Sequence, residues 1–134
     1  GFEESLILLL KMAEKIYNLE DRTIAFSVGL IRLTEKFPRS FSGNHLAGQM
    51  VRSGTAPALN YGEAQSAESR NDFIHKMKIA LKELRETYIC LKMVDQLSWF
   101  AAGDLDSHIK ECNELVSIFV KSIHTADKNK QRAR

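Results

Sequence analysis

The residues of this chain that could carry out chemistry are concentrated near its carboxyl end. His108 and Cys112 are four positions apart, and Asp104 precedes His108 by about one turn. On a helix this spacing puts the side chains on one face, where an imidazole and a thiolate could bind zinc or form a nucleophilic pair. Cys112 also belongs to an apolar repeat, in which a small buried thiol is ordinary. Two credible ligands are too few for a zinc site, and the sequence shows no orienting group for a nucleophile.

No other motif adds a catalytic or ligand-binding candidate. The stretch from Gly43 to Gly48 lacks the Lys-Ser/Thr that completes a phosphate-binding loop, and neither H-E-x-x-H nor C-x-x-C occurs. The remaining three histidines are scattered singly along the chain. We therefore predict that the protein is not an enzyme and has no metal, cofactor or small-molecule substrate. His108 and Cys112 are expected to serve packing.

A line of polar side chains is the one unusual constellation. Gln49, Arg52, Ala56, Asn60 and Glu63 are separated by 3, 4, 4 and 3 positions, which places them on one face of a helix. Most polar stripes are the solvated side of an amphipathic helix. The surrounding segment is so poor in helix-forming residues that it should be buried, and burial requires paired charges. The face is therefore either solvated or a contact between subunits.

The segment that carries this face, about residues 44–64, contains three glycines and Pro57. Inside a helix glycine costs about 1 kcal/mol and proline about 3 kcal/mol relative to alanine, so packing must supply the missing stability. We expect a helix well inside the assembly, kinked near Pro57. Gly54, Ala58 and Gly62 recur every four positions and predict a strip that another helix approaches closely.

Four segments have helical rather than strand periodicity. They cover about residues 19–36, 44–64, 69–97 and 104–126, and Pro38 closes the first of them. Four helices with wide apolar stripes and short connections predict an all-α fold, an up-down four-helix bundle.

Capping signals and apolar repeats define these helices more closely. Asn18 is a plausible N-cap of the first, and Ser69 with Asp72 has the S-x-x-D signature of a helix start. Trp99 and Phe100, in the last connection, are expected to cover one end of the core. The apolar repeats predict the core residues Phe26, Leu30, Leu33 and Phe37, widened by Ile24, Val28 and Ile31, then Phe73, Met77, Ala80, Leu81, Leu84, Tyr88 and Leu91, and finally Ile109, Cys112, Val116, Phe119 and Ile123.

Composition bounds the class of protein. A chain of 134 residues with 44% hydrophobic and 27% charged residues is typical of one globular domain. The longest apolar run, Leu6 to Leu10, is far shorter than a membrane span of about 20 residues. Two cysteines and no evident secretory signal favour reduced thiols and a cytoplasmic location.

The two ends of the chain are expected to lie outside the bundle of residues 19–126. Residues 1–18 form an extension, and Met12 resembles a native start preceded by upstream sequence. The alternative is a short extra helix that packs on the bundle through its leucines. Residues 127–134 carry a net charge of +3, which leaves −1 for the rest, and are expected to be a disordered basic tail.

The central residues resemble a known family. Its pattern is carried in order and near-spacing by Phe37-Pro38, Leu46, Gln49, Arg52, Asn60, Glu63, Phe73, Ala80 and Glu86. This pattern is similar to that of the bacterial four-helix-bundle family first noted within intervening sequences of large-subunit ribosomal RNA genes. The family is related to the accessory variability protein of diversity-generating retroelements. The stretch Asn60-Tyr61-Gly62-Glu63-Ala64 departs from the family's usual Asn-Ile-Ala-Glu-Gly.

The resemblance implies a four-helix bundle that forms homo-oligomers, with pentamers as the expected form, while most of the family has no assigned activity. It also implies a structural or interfacial role for the polar face, with Glu86 as a partner of Arg52. The related retroelement protein is strongly basic and binds nucleic acid, whereas the body of this chain is not basic.

Two functions follow as hypotheses. The first is a non-enzymatic, self-associating binding or scaffold module in an RNA or ribonucleoprotein setting. The alternative is direct binding of RNA or DNA, for which basic residues are required. The candidates for that contact are Arg70, Lys78, Lys82 and Arg85 on the third helix and Lys128, Lys130, Arg132 and Arg134 in the tail.

Overall fold

A computed structural model of the chain describes the backbone of residues 1–132, and the side chains of residues 1–11 and 18–129. Over that range the fold is all-α, with five helices and no strand. The helices are α1 (Phe2–Tyr17), α2 (Leu19–Thr34), α3 (Phe41–Gln65), α4 (Arg70–Gln96) and α5 (Asp106–Arg132).

Helices α2 to α5 pack side by side around one core. Contacts join α2 to α3, α3 to α4 and α4 to α5, and α5 also contacts α2. The interior is filled by aliphatic side chains, methionines and Phe119. The largest fully buried ones are Phe119, Leu19, Leu30, Met50, Met77, Leu84, Leu91, Leu105 and Leu115.

Most of the predicted core residues are confirmed, with one exception on α2. Phe26, Leu30 and Leu33 are buried as predicted, whereas Ile24, Val28 and Ile31 are exposed. At about 100° per residue the two sets are centred roughly 150° apart around the helix, so only one of them can face the core. The expectation that Ile24, Val28 and Ile31 widen the buried stripe is wrong.

Aromatic rings close one end of the core. Phe37, just after α2, packs against Trp99 and Phe100 with ring centroids 5.4 and 5.9 Å away. Both partners belong to the connection between α4 and α5, so this contact joins two distant parts of the chain. The predicted role of Trp99 and Phe100 is confirmed.

Helix α3 forms despite its weak helix propensity. The Ser40 hydroxyl accepts a hydrogen bond from the Gly43 amide at 3.1 Å, and the helix then runs through Pro57 to Gln65. The buried residues along it are Gly43, Met50, Ser53, Gly54, Pro57 and Ala64. Packing on both neighbours therefore holds the helix, as its sequence requires.

The close approach predicted for α3 occurs at Gly54. A Cβ atom there would lie 2.5 Å from Leu30 Cδ1, and the Ser27 hydroxyl donates to the Gly54 carbonyl at 2.9 Å. A Cβ at Gly62 would meet nothing within 4 Å, and Ala58 is half-buried. The predicted strip of three small residues therefore makes its close contact at Gly54, and α2 is the helix that approaches there.

The predicted starts of α2 and α4 are both close to the observed ones, but the predicted capping hydrogen bond forms at α4 and not at α2. The Ser69 hydroxyl accepts from the Asp72 amide at 3.0 Å, which confirms the predicted cap of α4. Asn18 directly precedes α2 as predicted, but its side chain makes no capping hydrogen bond, and its backbone is not extended as an N-cap residue usually is.

The ends of the chain differ from expectation in two respects. Residues 2–17 form a helix, yet the aliphatic side chains from Leu6 to Leu10 are exposed rather than packed on the bundle. The backbone is helical through Arg132, where the sequence predicts a disordered tail. The division of the chain at residues 18 and 126 stays a prediction.

Candidate functional site

An open groove of about 770 Å³ runs along the outside of the molecule between α3 and α4. It lies between the first half of α3 and the central two-thirds of α4. Its lining residues are His45, Leu46, Gln49, Lys78, Leu81, Lys82, Arg85, Glu86, Ile89, Cys90 and Met93.

The groove is apolar on its floor and basic on one rim. The basic side chains are Lys78, Lys82 and Arg85, all exposed and spaced so that they share one side of α4. In the part of the chain that the structure describes, none of the three forms an ion pair. Such a surface suits a partner that is both apolar and acidic.

An ion-pair cluster closes the groove beside Gln49. The Arg52 guanidinium donates to Glu86 at 2.8 Å and to Glu83 at 3.1 Å, which holds α3 against α4. The hydrogen bond from Arg52 keeps the pKa of the Glu86 carboxyl below its usual range, and it also raises the pKa of the guanidinium. The Arg52–Glu86 pair suggested by the family resemblance thus forms within one chain.

The rest of the predicted polar face does not form one cluster. Glu63 pairs with Lys76 of α4 at 2.8 Å, and the Asn60 side-chain amide donates to the Ala56 carbonyl of its own helix at 2.9 Å. Arg52 and Glu63 are exposed, while Gln49 and Asn60 are half-buried. The face is largely solvated in the single chain, and its role as an interface between subunits stays a prediction.

The His108 and Cys112 pair serves packing in the described part of the chain. The half-buried His108 ring lies against Gly29, and the Cys112 thiol donates to the Leu84 carbonyl at 3.3 Å. Burial lowers the pKa of His108 and raises the pKa of Cys112 to about 12, so neither side chain is activated as a nucleophile or base. The Asp104 carboxylate instead accepts from the Ala101 amide at 3.2 Å.

The described residues offer neither a metal site nor a membrane span. No group of three or more His, Cys, Asp or Glu side chains within that range could hold a metal ion. None of the helices there combines the length and apolarity needed to cross a bilayer. Cys90 and Cys112 are free and buried.

Several polar contacts between helices escaped sequence reasoning. Arg22 of α2 donates to Glu111 of α5 at 3.1 Å and reaches Glu114 at 3.4 Å. Inside the bundle, the Thr87 hydroxyl donates to Ser53 at 2.9 Å. These partners are more than 30 positions apart, so no local spacing could have revealed them.

The structure brings together only part of the predicted nucleic-acid contact. Lys78, Lys82 and Arg85 line the groove, and Arg70 is exposed at the start of α4. In the tail, Lys128 is exposed on α5. The side chains of Lys130 and Arg132, and the whole of Arg134, lie outside the described residues, so their predicted role is untested.

Among the residues that the structure describes, two apolar surfaces on the outside of the helices are not covered by another helix. We call Ile24, Val28 and Ile31 the α2 stripe; all three are exposed and share the face of α2 that points away from the core. Ile89, Met93 and Leu97 form the α4 stripe, which continues from the groove along α4. Lines of exposed aliphatic side chains on a folded protein are typical of protein contacts.

These features define a class of protein: an all-α chain with an amphipathic groove and unpartnered apolar stripes on its outer faces. The chain belongs to the 23S rRNA-intervening sequence protein family, whose model matches residues 12–121. The family membership inferred from the residues between Phe37 and Glu86 is thereby confirmed. Helix α1 lies mostly outside the matched range.

A solved structure resembles the chain over most of its length. It is the crystal structure, at 1.70 Å resolution, of a protein with unknown function from the S23 ribosomal protein family of Bacteroides thetaiotaomicron. The two sequences are 29% identical, the TM-score is 0.73, and the match covers 78% of this chain and 96% of that chain. No match was found among curated proteins.

Proposed function

We propose that the protein is a self-associating helical module that binds partners as a scaffold and is not an enzyme. The α2 stripe carries this proposal. Its three aliphatic side chains occupy the face of α2 opposite the core, and Val28 at their centre is 41% exposed. Complete burial of one such side chain contributes about 1.5–3 kcal/mol, so a second surface that covers the stripe would be stabilised.

The architecture of the module supports a rigid scaffold. We take α2 to α5 as an up-down four-helix bundle, and the direction of α3 against α4 supports this. Arg52 pairs with Glu86 while the later Glu63 pairs with the earlier Lys76, so α3 and α4 are antiparallel. The homo-oligomer is proposed to be a pentamer by analogy with the family, in the bacterial cytoplasm, where the free thiols of the chain would stay reduced.

Replacing the α2 stripe tests the proposal. The double variant Ile24→Gln with Val28→Gln should lower the molar mass seen by light scattering at micromolar concentration, because it removes apolar surface without touching the core. Leu59→Gln, at a singly exposed aliphatic residue of α3, is the matched control and should leave the mass unchanged. An intact chain of 15.2 kDa at every concentration would contradict self-association.

Direct contact with RNA is the second candidate function, favoured by one observation. Lys78, Lys82 and Arg85 lie along one rim, exposed and without an ion pair among the described side chains. If they bind phosphates, a labelled structured RNA should bind more weakly as salt rises, and Lys82→Glu should weaken binding and flatten the salt dependence. Lys92→Glu, an exposed lysine of α4 outside the groove lining, is the control, and equal effects of the two variants would contradict a dedicated surface.

A further inference from the structure

The described part of helix α1, residues 2–11, exposes an apolar face to solvent. Phe2, Leu6, Leu9 and Leu10 follow the spacing of one helical face, and all of them are exposed. Every side chain of residues 1–11 is exposed, and the main contact of α1 is with α2, its neighbour in the chain. An isolated helix of this length is marginal in water, so α1 gains most from a surface that covers its apolar face.

The groove between α3 and α4 is long enough for the apolar part of α1. That part, from Phe2 to Leu10, spans about 12 Å at 1.5 Å per residue. Along α4 the groove lining runs from Lys78 to Met93, which is about 24 Å of helix. Its floor of aliphatic and sulfur-bearing side chains is of the kind that receives the apolar face of a helix.

Charge also matches between the two surfaces. The rim carries Lys78, Lys82 and Arg85, while the acidic lining residue Glu86 is already engaged by Arg52. The first turn of α1 carries Glu3 and Glu4, and Glu3 borders the apolar face. With α1 parallel to α4 and Leu6 beside Ile89, Leu10 would lie beside Met93, and Glu3 would lie near Arg85 at the end of the basic rim.

The connection to α2 keeps α1 away from the groove of its own chain. Only Asn18 separates the two helices, and the Arg22 amide donates to the Asn18 carbonyl at 2.9 Å, which extends the turn of α2 back to that residue. Helix α2 packs on α3 and α5, whereas the groove opens between α3 and α4. To reach it, α1 would have to reverse direction within one residue and cross over α3.

We infer that α1 of one copy docks in the groove between α3 and α4 of a second copy. This inference rests on the proposed self-association and names its contact. Each copy offers a helix on one side and a groove on another, so the contact is head-to-tail and continues until the copies close a ring. The apolar floor favours a helix over a phosphate backbone as the occupant.

Complementation between two variants tests the head-to-tail contact. The α1 variant, Leu6→Gln with Leu10→Gln, loses the helix face, and the groove variant, Ile89→Gln with Met93→Gln, loses the floor. All four residues are exposed in the single chain, and glutamine is a good helix former, so folding should persist. The matched control is Leu59→Gln with Val120→Gln, which changes two exposed aliphatic residues elsewhere.

Each variant alone should have a lower molar mass by light scattering than the intact chain, while the control keeps the mass of the intact chain. An equal mixture of the α1 and groove variants should recover part of the lost mass, because one functional helix and one functional groove can still pair. Lys82→Glu should shift dissociation of the intact assembly to lower salt, which tests the basic rim without altering the floor.

Different results would contradict self-association and the docking of α1. If the intact chain is a monomer, self-association and the docking of α1 are both wrong. If the intact chain is an oligomer that both double variants preserve, while replacing the α2 stripe dissociates it, self-association holds and the docking of α1 is wrong. A mixture of the two double variants that recovers none of the lost mass would also contradict a head-to-tail contact.

Discussion

Gly54 is the residue at which α3 lies closest to the core side chains of α2. A Cβ atom at this position would lie 2.5 Å from Leu30 Cδ1, and Leu30 is itself fully buried. Gly48, on the same helix, has nothing within 4 Å of the corresponding position and is exposed. Comparing the two glycines therefore distinguishes the steric requirement for glycine at Gly54 from the general cost of glycine inside a helix.

We expect Gly54→Ala to destabilise the protein by about 1–3 kcal/mol, as overpacking of a filled core does. Gly48→Ala should instead stabilise it by roughly 0.5–1 kcal/mol, because alanine loses less conformational entropy in a helix. Urea denaturation of both variants measures the difference. Equal stabilisation by the two would show that α2 does not approach α3 closely at Gly54.

The His108 ring provides a pH-dependent contribution to stability. Burial lowers its pKa in the folded protein below the ordinary value of a histidine, so the folded state binds the proton more weakly than the unfolded chain does. Stability is therefore complete above the unfolded pKa and is lost as the pH falls toward the lowered folded pKa.

The free energy of unfolding should be lower at pH 5 than at pH 7, and His108→Gln should reduce this difference. The Glu86 carboxyl titrates below this window, because the hydrogen bond from Arg52 lowers its pKa. Urea denaturation at the two pH values checks the effect, with His75→Gln at an exposed position as the control. A difference that survives in His108→Gln would assign it to other groups.

At the scale of the helices, α2 and α4 are both preceded by a residue that favours the N-cap position, but only the one before α4 forms the capping hydrogen bond. The Ser69 hydroxyl accepts from the Asp72 amide at 3.0 Å, whereas the Asn18 side chain makes no such bond. We expect Ser69→Ala to cost about 0.5–2 kcal/mol and Asn18→Ala to cost little. Thermal denaturation followed by circular dichroism compares them, and equal losses would mean that the Asn18 side chain does cap α2.

The ion pairs between helices differ in burial, so they should also differ in their contribution to the free energy of unfolding. Arg22, at 18% side-chain exposure, binds Glu111 and Glu114, while Arg52, at 55%, binds Glu83 and Glu86. Losing one partner costs about 3–5 kcal/mol for a fully buried pair and about 0–1 kcal/mol for an exposed one, so Arg22→Ala should fall between these limits.

Urea denaturation of Arg22→Ala and Arg52→Ala compares the two ion-pair sites in the same background. The Arg52 variant should be the milder one, because water already screens its pairs. An Arg52→Ala loss as large as that of Arg22→Ala would show that exposure does not set the strength of these contacts.

Spacing along the chain predicted the elements well and their mutual placement less well. The repeat of Phe26, Leu30 and Leu33 identified both the helix and its buried face, because each follows from 3.6 residues per turn. The same repeat could not show that the α2 stripe faces outward, since that depends on how many helices surround α2. Helix propensity alone would not have predicted α3, because packing against its neighbours stabilises that helix.

The candidate site was predictable only where its residues share one helix. Lys78, Lys82 and Arg85 were grouped from their spacing on α4, and the structure places them on one rim. Their position opposite Leu46 and Gln49 depends on how α3 packs against α4, which no local pattern encodes. The Arg52–Glu86 pair came from resemblance to the family, and the Arg22 contacts had no signal in the sequence at all.

For the whole molecule, the main observation is the apolar surface that a single chain leaves exposed to solvent. The core of α2 to α5 is filled, yet the α2 stripe, the α4 stripe and the apolar face of α1 remain exposed. Large apolar surfaces of this kind are uncommon on proteins that act as monomers. The proposed self-association would cover these surfaces without a second gene product.

The molar mass of the intact chain tests this account most directly. Light scattering or sedimentation across the micromolar range should give a mass that is a multiple of 15.2 kDa and that falls on dilution or on replacement of the apolar surfaces. A mass of 15.2 kDa at every concentration would contradict the account, and the exposed stripes would then have to bind a different protein.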